Sequence, residues 1–390
     1  MTKENILVCG TGIAGLATAL GLAKKGFQVS LLGPKADTSA AVPDSYHPRV
    51  YALSVASQQF LIDLGVWDLM DARRITPVDA MEVYGDGDGE LNLHAWQAAS
   101  ISLAWIVESG ELERVLQQAV RILGVSWITE KFQRWESGVV FTDTGRALHP
   151  DLLVGADGAH SPVRSAANIR HDFKAYGDHG VVVHLDAQLA HQNIALQWFT
   201  GDSILALLPM PDTNQGHQVS MVWSMPESRA KYLQQLPNDQ RNAMLTQELA
   251  AVTGDRLGKL HVRSPLFAFP LTLEGSDMVA PGVALVGDAA HRVHPLAGQG
   301  LNLGLADVAE LLRVLTDKEQ YRSAGDMRVL SRYRRARAEP ILAMRLATDG
   351  LHRLFASKIA AIAWARNLGM RGVNHLPLLK RFLIGGAAGR

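Results

Sequence analysis

The chain has 390 residues, 47% of them hydrophobic and 19% charged, with 38 basic and 38 acidic side chains. That length exceeds one ordinary core and points to two interleaved domains, and the composition is that of a folded globular protein. Zero net charge excludes the basic surface a nucleic-acid binder needs to hold phosphates. The single cysteine, Cys9, excludes an internal disulfide and a cysteine-rich metal site and fits a reducing cytoplasm. No basic-then-apolar leader opens the chain, and no apolar run reaches the roughly 18 residues that span a bilayer.

Ile6 to Cys9 is a short apolar run ended by glycine, the pattern of a buried parallel strand. Ile13 to Lys25 has helical periodicity closed by Gly26, and Phe27 to Leu32 is a second strand, completing a βαβ unit. Apolar residues recur at helical spacing over Ser54 to Leu69 and Leu112 to Leu123, while Asp151 to Gly155 and Val283 to Val286 read as further buried strands. The middle changes character. Gly180 to Leu185, Ile194 to Phe199, Ser203 to Leu208 and Gln218 to Ser224 are β-rich runs between polar turns, which predicts an antiparallel sheet. Arg229 to Val252 predicts one or two helices, and the chain after Val283 is helical almost to its end. The fold class is α/β: a Rossmann-like nucleotide-binding domain (residues 1–75, 101–175 and 265–340), interrupted by an antiparallel β-sheet substrate domain (76–100 and 176–264). A helical C-terminal segment (341–390) follows.

Three segments carry the chemistry. Gly10-Thr11-Gly12-Ile13-Ala14-Gly15 follows a strand and opens a helix. Gly10 permits the tight turn, Gly12 lets the backbone approach a pyrophosphate, and Gly15 lets helix and strand pack closely, with the helix N-terminus favouring negative charge. The acid that should end the second strand and hold a ribose is missing, since Gly33 stands there and Asp37 lies beyond Pro34. In the second segment a buried strand delivers Asp157-Gly158, followed by Ser161 and by Arg164, which can meet a phosphate or hold Asp157. In the third, Gly287-Asp288 again ends a strand, and Pro295 to Asn302 contains the bare loop Gly298-Gln299-Gly300 opening a long helix. The N–H groups there would stabilise an anion such as the pyrimidine ring of a reduced flavin.

In this order and spacing the three segments resemble those of the class A flavoprotein monooxygenases, including the Gly287-Asp288 pair followed by six residues and then Pro295. A narrower resemblance covers nearly the whole chain. His47-Pro48-Arg49-Val50-Tyr51-Ala52-Leu53-Ser54, Ile106-Val107-Glu108, Leu205 to Pro209, His294 to Gly304, Tyr333 to Arg337 and Arg366-Asn367-Leu368-Gly369 are similar to segments of the ubiquinone-biosynthesis hydroxylase family. The resemblance implies an FAD-dependent monooxygenase that hydroxylates the aromatic ring of a polyprenyl-phenol or related quinone precursor. It would use O2 and NAD(P)H and work through a flavin hydroperoxide. The cofactor-binding set it implies is Gly10, Gly12, Ile13, Ala14, Gly15, Arg49, Asp157, Gly158, Arg164, Gly287, Asp288, Gly300, Leu301 and Asn302. Arg49 would meet the pyrophosphate or the flavin edge, Asp288 the ribityl chain, and the Gly300 and Leu301 N–H groups the flavin. The flavin loop is Pro295, Gly298, Gln299 and Gly300, and no side chain acts as a catalytic acid, base or nucleophile, because the cofactor does the hard chemistry. No second GxGxxG unit exists, so NAD(P)H has no domain of its own.

Other signals have plainer readings. His291 and His294 lack a third ligand, so no metal is expected, and their loop fits flavin contact better. Gly85-Asp86-Gly87-Asp88-Gly89 reads as a hairpin turn, and Arg332, Arg334, Arg335 and Arg337 as a solvated helix face. From Gly350 to Arg390 there are seven basic residues and no acidic one. This is either a helix pair packed on the flavin domain or a face for the inner membrane surface or for other quinone-biosynthesis proteins, which a lipophilic aromatic substrate would favour. The WxWxIP element of flavin halogenases is absent, and the non-enzymatic alternative is a weakly FAD-binding subunit of a quinone-biosynthesis complex.

Overall fold

The computed structural model describes residues 3–35, 46–293, 299–356, 360–374 and 376–388; Asp37, His294, Pro295 and Gly298 lie outside these ranges. The chain opens with β1 (Asn5–Cys9), α1 (Ile13–Lys24) and β2 (Gln28–Leu32), then β3 (Val50–Ser54) and α2 (Val55–Asp63). The short strands β4 (Ile75–Val78), β5 (Ala80–Tyr84) and β6 (Glu90–His94) precede β7 (Ala104–Glu108), α3 (Ser109–Ile122) and β8 (Ser126–Ile128). A small antiparallel sheet of β9 (Phe132–Glu136), β10 (Val139–Thr142) and β11 (Ala147–Leu148) leads to β12 (Leu152–Gly155) and α4 (Pro162–Ala166). The long strands β13 (His171–Ala187), β14 (Ile194–Thr200), β15 (Ser203–Thr213) and β16 (Gly216–Pro226) follow, then α5 (Glu227–Gln235) and α6 (Asn238–Thr253). Next come β17 (Leu260–Val262), β18 (Phe267–Ser276), β19 (Val279–Ala280), β20 (Val283–Leu285) and β21 (His291–Arg292). Four helices end the chain: α7 (Gln299–Thr316), α8 (Met327–Ala356), α9 (Ala360–Asn374) and α10 (Pro377–Ala388).

The first sheet runs β19-β20-β12-β1-β2-β8, parallel except for β19. Its strands are almost wholly buried because helices cover both faces, as a parallel sheet requires. Ile6, Leu7 and Val8 of β1 pack with Leu16 and Leu20 of α1, Leu112 of α3 and Leu311 of α7 in one core. The second sheet runs β21-β18-β13-β16-β15-β14-β5-β6, with β17 beside β13. Period-2 alternation divides its faces. Val181, Val183, Leu185, Val219, Met221 and Trp223 point towards α5 and α6, whose Leu233, Leu245 and Leu249 complete a second core. On the other face Leu208 and Met210 meet Val50, Ala52 and Ile106 of the β3-β7-β4 sheet, so the large sheet is laid against the strand leading from Arg49.

The helical reading of Ser54 to Leu69 is corrected. Ser54 caps α2 by accepting from the Ser57 N–H, but the helix stops at Asp63 because Gly65 takes a φ of +68°. Trp67–Leu69 is a separate 3-10 turn. The segment Arg229 to Val252 is two helices, divided at Leu236-Pro237. Gly85 to Gly89 is the β5–β6 turn, as expected.

Candidate active site

The carboxyl ends of β1, β2 and β12 meet at a cavity of ≈ 520 Å³ lined by Cys9, Gly10, Gly12, Gly33, Lys131, Asp157 and Gly158 among others. A Cβ on Gly10 would lie 2.1 Å from the Ala156 carbonyl oxygen, and one on Gly15 would lie 2.0 Å from that of Gly10. Both glycines are required by close backbone approach. Gly12 differs: a Cβ there meets nothing within 4 Å. It is the N-cap of α1 without a side-chain cap, and the first turn carries no acid. The N–H groups of Ile13, Ala14 and Gly15 therefore need a partner from outside the helix, and an anion suits both them and the dipole. The residues present fit a dinucleotide pyrophosphate.

Asp157 at the end of β12 accepts from the Ser161 hydroxyl at 2.5 Å and the Val163 N–H at 3.0 Å. Burial raises its carboxyl above the ordinary value, against those hydrogen bonds and Arg164, which lower it. Arg164 does not hydrogen-bond Asp157. Its guanidinium is buried and donates to the Ala159 carbonyl at 2.7 Å and the Ala289 carbonyl at 2.9 Å, tying the second motif to the third.

In the third motif Gly287 takes φ +63° and Asp288 follows, with its carboxylate 44% exposed and its nearest ionic partner, Arg292 Nε, at 4.0 Å. The Arg49 guanidinium lies 4.9 Å from the Tyr51 ring centre. Burial pushes the Tyr51 hydroxyl up to about 12, with Arg49 opposing and Asp288 adding to the shift. Gln299, Gly300 and Leu301 form the partly open first turn of α7. Asn302 turns inward: its Oδ1 accepts from the Ser54 N–H at 2.9 Å and its Nδ2 donates to the Ala52 carbonyl at 2.9 Å, fastening α7 to β3. The segment before Arg49 is equally fastened. The His47 N–H donates to Glu108 Oε2 at 2.6 Å, Glu108 pairs with Arg74 at 2.8 Å, and His184 of the large sheet bonds the His47 carbonyl at 2.9 Å.

One expectation is overturned. Arg337 is not on a solvated face: it is buried and pairs with the buried Asp307 at 2.7 Å, while Tyr333, one turn before it, is buried and donates to the Leu285 carbonyl at 2.8 Å. His291 is also buried, on Asp307 at 2.7 Å. No group of three or more metal-binding side chains occurs among the described residues.

Gly33, where the ribose acid is missing, has φ +143°, and a Cβ would stand 3.1 Å from Thr11 Cγ2. Its carbonyl accepts from Trp127 Nε1 at 3.0 Å and its N–H donates to the Ile128 carbonyl at 3.0 Å, so both polar groups lock that conformation. Restoring the acid is therefore a strained change. Gly33→Glu is expected to lower stability by about 1–3 kcal/mol without tightening FAD. Thermal melts and an FAD titration check this, and a tighter dissociation constant in an equally stable variant would refute it.

A mainly parallel sheet with helices on both faces, an uncapped helix N-terminus behind GxGxxG, and a mainly antiparallel sheet laid against the strand leading from Arg49 define the fold of the FAD-dependent monooxygenases. An FAD binding domain family model matches residues 3–345. Ubiquinone hydroxylase UbiL of Rhodospirillum rubrum is 34% identical, covering 99% of this chain and 89% of its own. The 3-demethoxyubiquinol 3-hydroxylase of Escherichia coli is 32% identical over 98% of both chains. The crystal structure of p-nitrophenol 4-monooxygenase PnpA from Pseudomonas putida superposes with a TM-score of 0.77 over 100% of this chain and 99% of the other, at 18% identity. The chain belongs to the ubiquinone hydroxylase family of FAD-dependent monooxygenases, which favours the enzymatic reading over a non-catalytic subunit.

Proposed function

We propose that this enzyme hydroxylates the aromatic ring of a polyprenyl-phenol or related quinone precursor, with O2 and NAD(P)H as co-substrates. The observation that carries the reading is the likeness to quinone-ring hydroxylases over nearly the full chain. When bound, FAD supplies the redox chemistry, hydride acceptance from NAD(P)H and activation of O2. The protein's part is placement. Gly10, Gly12, Ile13, Ala14 and Gly15 receive the pyrophosphate at the α1 N-terminus, and Arg49 meets its charge or the flavin edge. Asp288 accepts from the ribityl hydroxyls. Gly287, Asp157, Gly158 and Arg164 shape the walls between the motifs, and the α7 end, Gly300 to Asn302, offers N–H groups and a positive dipole to negative charge on the flavin. The apolar contact of Leu208 and Met210 with Val50 and Ala52 keeps water from the ring side. Residues 1–75, 101–175 and 265–340 form the FAD-binding part in this reading, and 76–100 and 176–264 the substrate part, joined by β18, which pairs with β13 in the large sheet.

No helix among the described residues is long and apolar enough to cross a membrane. A lipophilic substrate is then met at a membrane surface or handed over by a partner. Trp96, 73% exposed, lies on a 3-10 turn packed against α10, and an amphipathic ring of that kind suits a lipid interface. The decisive assay uses FAD-loaded protein, NAD(P)H, 18O-labelled O2 and candidate polyprenyl phenols in anionic or neutral vesicles. Expected is phenol-dependent NAD(P)H oxidation with one labelled oxygen in the product, faster on anionic vesicles. NAD(P)H consumption that yields only hydrogen peroxide with every phenol would remove the proposed substrate class.

A further inference from the structure

Asp307 lies on α7 at 0% exposure, directly behind the turn that presents Asp288. Its Oδ2 accepts from the Gly287 N–H at 3.0 Å and from His291 Nε2 at 2.7 Å, and its Oδ1 accepts from Arg337 Nε at 2.7 Å. Because the partner of His291 Nε2 is a carboxylate, that nitrogen carries the proton. One carboxylate oxygen thus holds the first and last residues of the five-residue turn 287–291, while Arg337 balances the buried charge and also donates to the Leu303 carbonyl at 3.1 Å. The carbonyls between are held too, Ala289 by Arg164 at 2.9 Å and Ala290 by the Ser276 hydroxyl at 2.8 Å. The Asp288 carboxylate is the group this turn leaves facing outward.

A buried ion pair of this kind is poor evidence for added stability, because apolar side chains of equal volume hold a core as well. What the arrangement supplies is orientation. Rotating the turn to swing Asp288 aside breaks two bonds to a single charged oxygen at once. On the reading that Asp288 engages the ribityl chain of FAD, we propose that Asp307, braced by Arg337 and linked through His291, is a positioning residue that sets the aim of Asp288 at the cofactor. It touches neither cofactor nor substrate itself.

The test is a double-mutant cycle on FAD affinity, read by quenching of flavin fluorescence in apoprotein titrations, with the visible circular dichroism of the bound flavin as a second signal. Asp288→Ala and Asp307→Asn are each expected to weaken FAD binding about tenfold, the scale of one charge-assisted bond. The double variant is expected to be no weaker than Asp288→Ala alone, since Asp307 acts through Asp288. The bound-flavin dichroism should change in Asp307→Asn while the apoprotein remains folded. Should Asp307→Asn fail to fold, the same cycle is run with His291→Leu, and His291→Gln, which keeps an N–H donor, is expected to restore affinity. Additive losses, or unchanged affinity in a folded variant, would overturn the positioning role. Failure of the unaltered protein to take up FAD would instead overturn the cofactor assignment, so the two failures are separable.

Discussion

Gly12→Val is expected to abolish useful FAD binding while leaving the protein folded. Gly12 has φ −77° and ψ −177°, an extended conformation open to valine, and its Cβ position is free of protein atoms within 4 Å. The free space is the front of the α1 N-terminus, where the proposed site puts the pyrophosphate. A branched side chain there displaces an anion from the N–H groups of the first turn, and the dissociation constant is expected to rise at least about a hundredfold, near 2.8 kcal/mol. The apoprotein should melt within about 0.5 kcal/mol of the parent, as for a surface change. Gly15→Ala is the contrasting control. Its Cβ would fall 2.0 Å from the Gly10 carbonyl oxygen and 2.8 Å from the carbonyl carbon. Backbone cannot yield as a side-chain tip can, so that variant is expected to lose stability by about 1–3 kcal/mol or more, with FAD affinity falling as a consequence. Denaturation curves and FAD titrations on both variants separate a glycine that makes room for a ligand from one that makes room for the fold. An unchanged FAD dissociation constant in folded Gly12→Val would place the pyrophosphate elsewhere.

Local pattern explains the part of the fold that is legible in the sequence. The strand-glycine-helix spacing of Ile6 to Lys24 and the period-2 alternation of Val181 to Leu185 and Val219 to Trp223 are one-dimensional signatures of covered and half-covered strands. Turn chemistry likewise placed Gly85 to Gly89. Three things escaped because they depend on partners far along the chain. Arg337 sits in a run of arginines that looks solvated; only the buried Tyr333 four residues earlier on the same helix face hints that this side points inward. Asp307 reads as one acid on an amphipathic helix until α8 brings Arg337 across, 30 residues away. In the acid-free C-terminus two of the seven basic side chains have counter-ions about 280 positions upstream, which no local pattern shows. Asp86 meets Arg366, Asp88 meets Arg371 at 2.8 Å, and Lys380 is buried at 7% exposure.

That C-terminal clamp carries the other large expected effect. Asp86 sits in the β5–β6 turn and accepts from Arg366 Nε at 3.1 Å, with a second, shorter bond from the same guanidinium. Arg366 is 5% exposed and donates also to the Leu354 carbonyl at 2.7 Å. Asn367 packs so closely on the turn that a Cβ on Gly85 or Gly89 would lie 2.4 Å from its Oδ1, and the Asn92 N–H donates to Asn374 Oδ1 at 3.0 Å. The glycine-rich turn is thus a socket for α9, which explains both its glycines and its two aspartates. Asp86→Ala removes the carboxylate opposite a buried guanidinium, a change that costs about 3–5 kcal/mol when the remaining charge stays buried. Peeling α9 and α10 away relieves that cost by returning Arg366 to water, while the six-stranded sheet and α1 are untouched. The variant is therefore expected to bind FAD with parental affinity but to lose residues beyond α8 to limited proteolysis under conditions where the parent resists. Asp88→Ala is expected to do far less, because the Asp88 side chain is 90% exposed and an exposed pair contributes only about 0–1 kcal/mol. Equal protease resistance of Asp86→Ala and the parent would show that α9 is held by its apolar contact, Met370 against the cluster of Val83, Phe199, Ile204 and Phe355, and not by the aspartate.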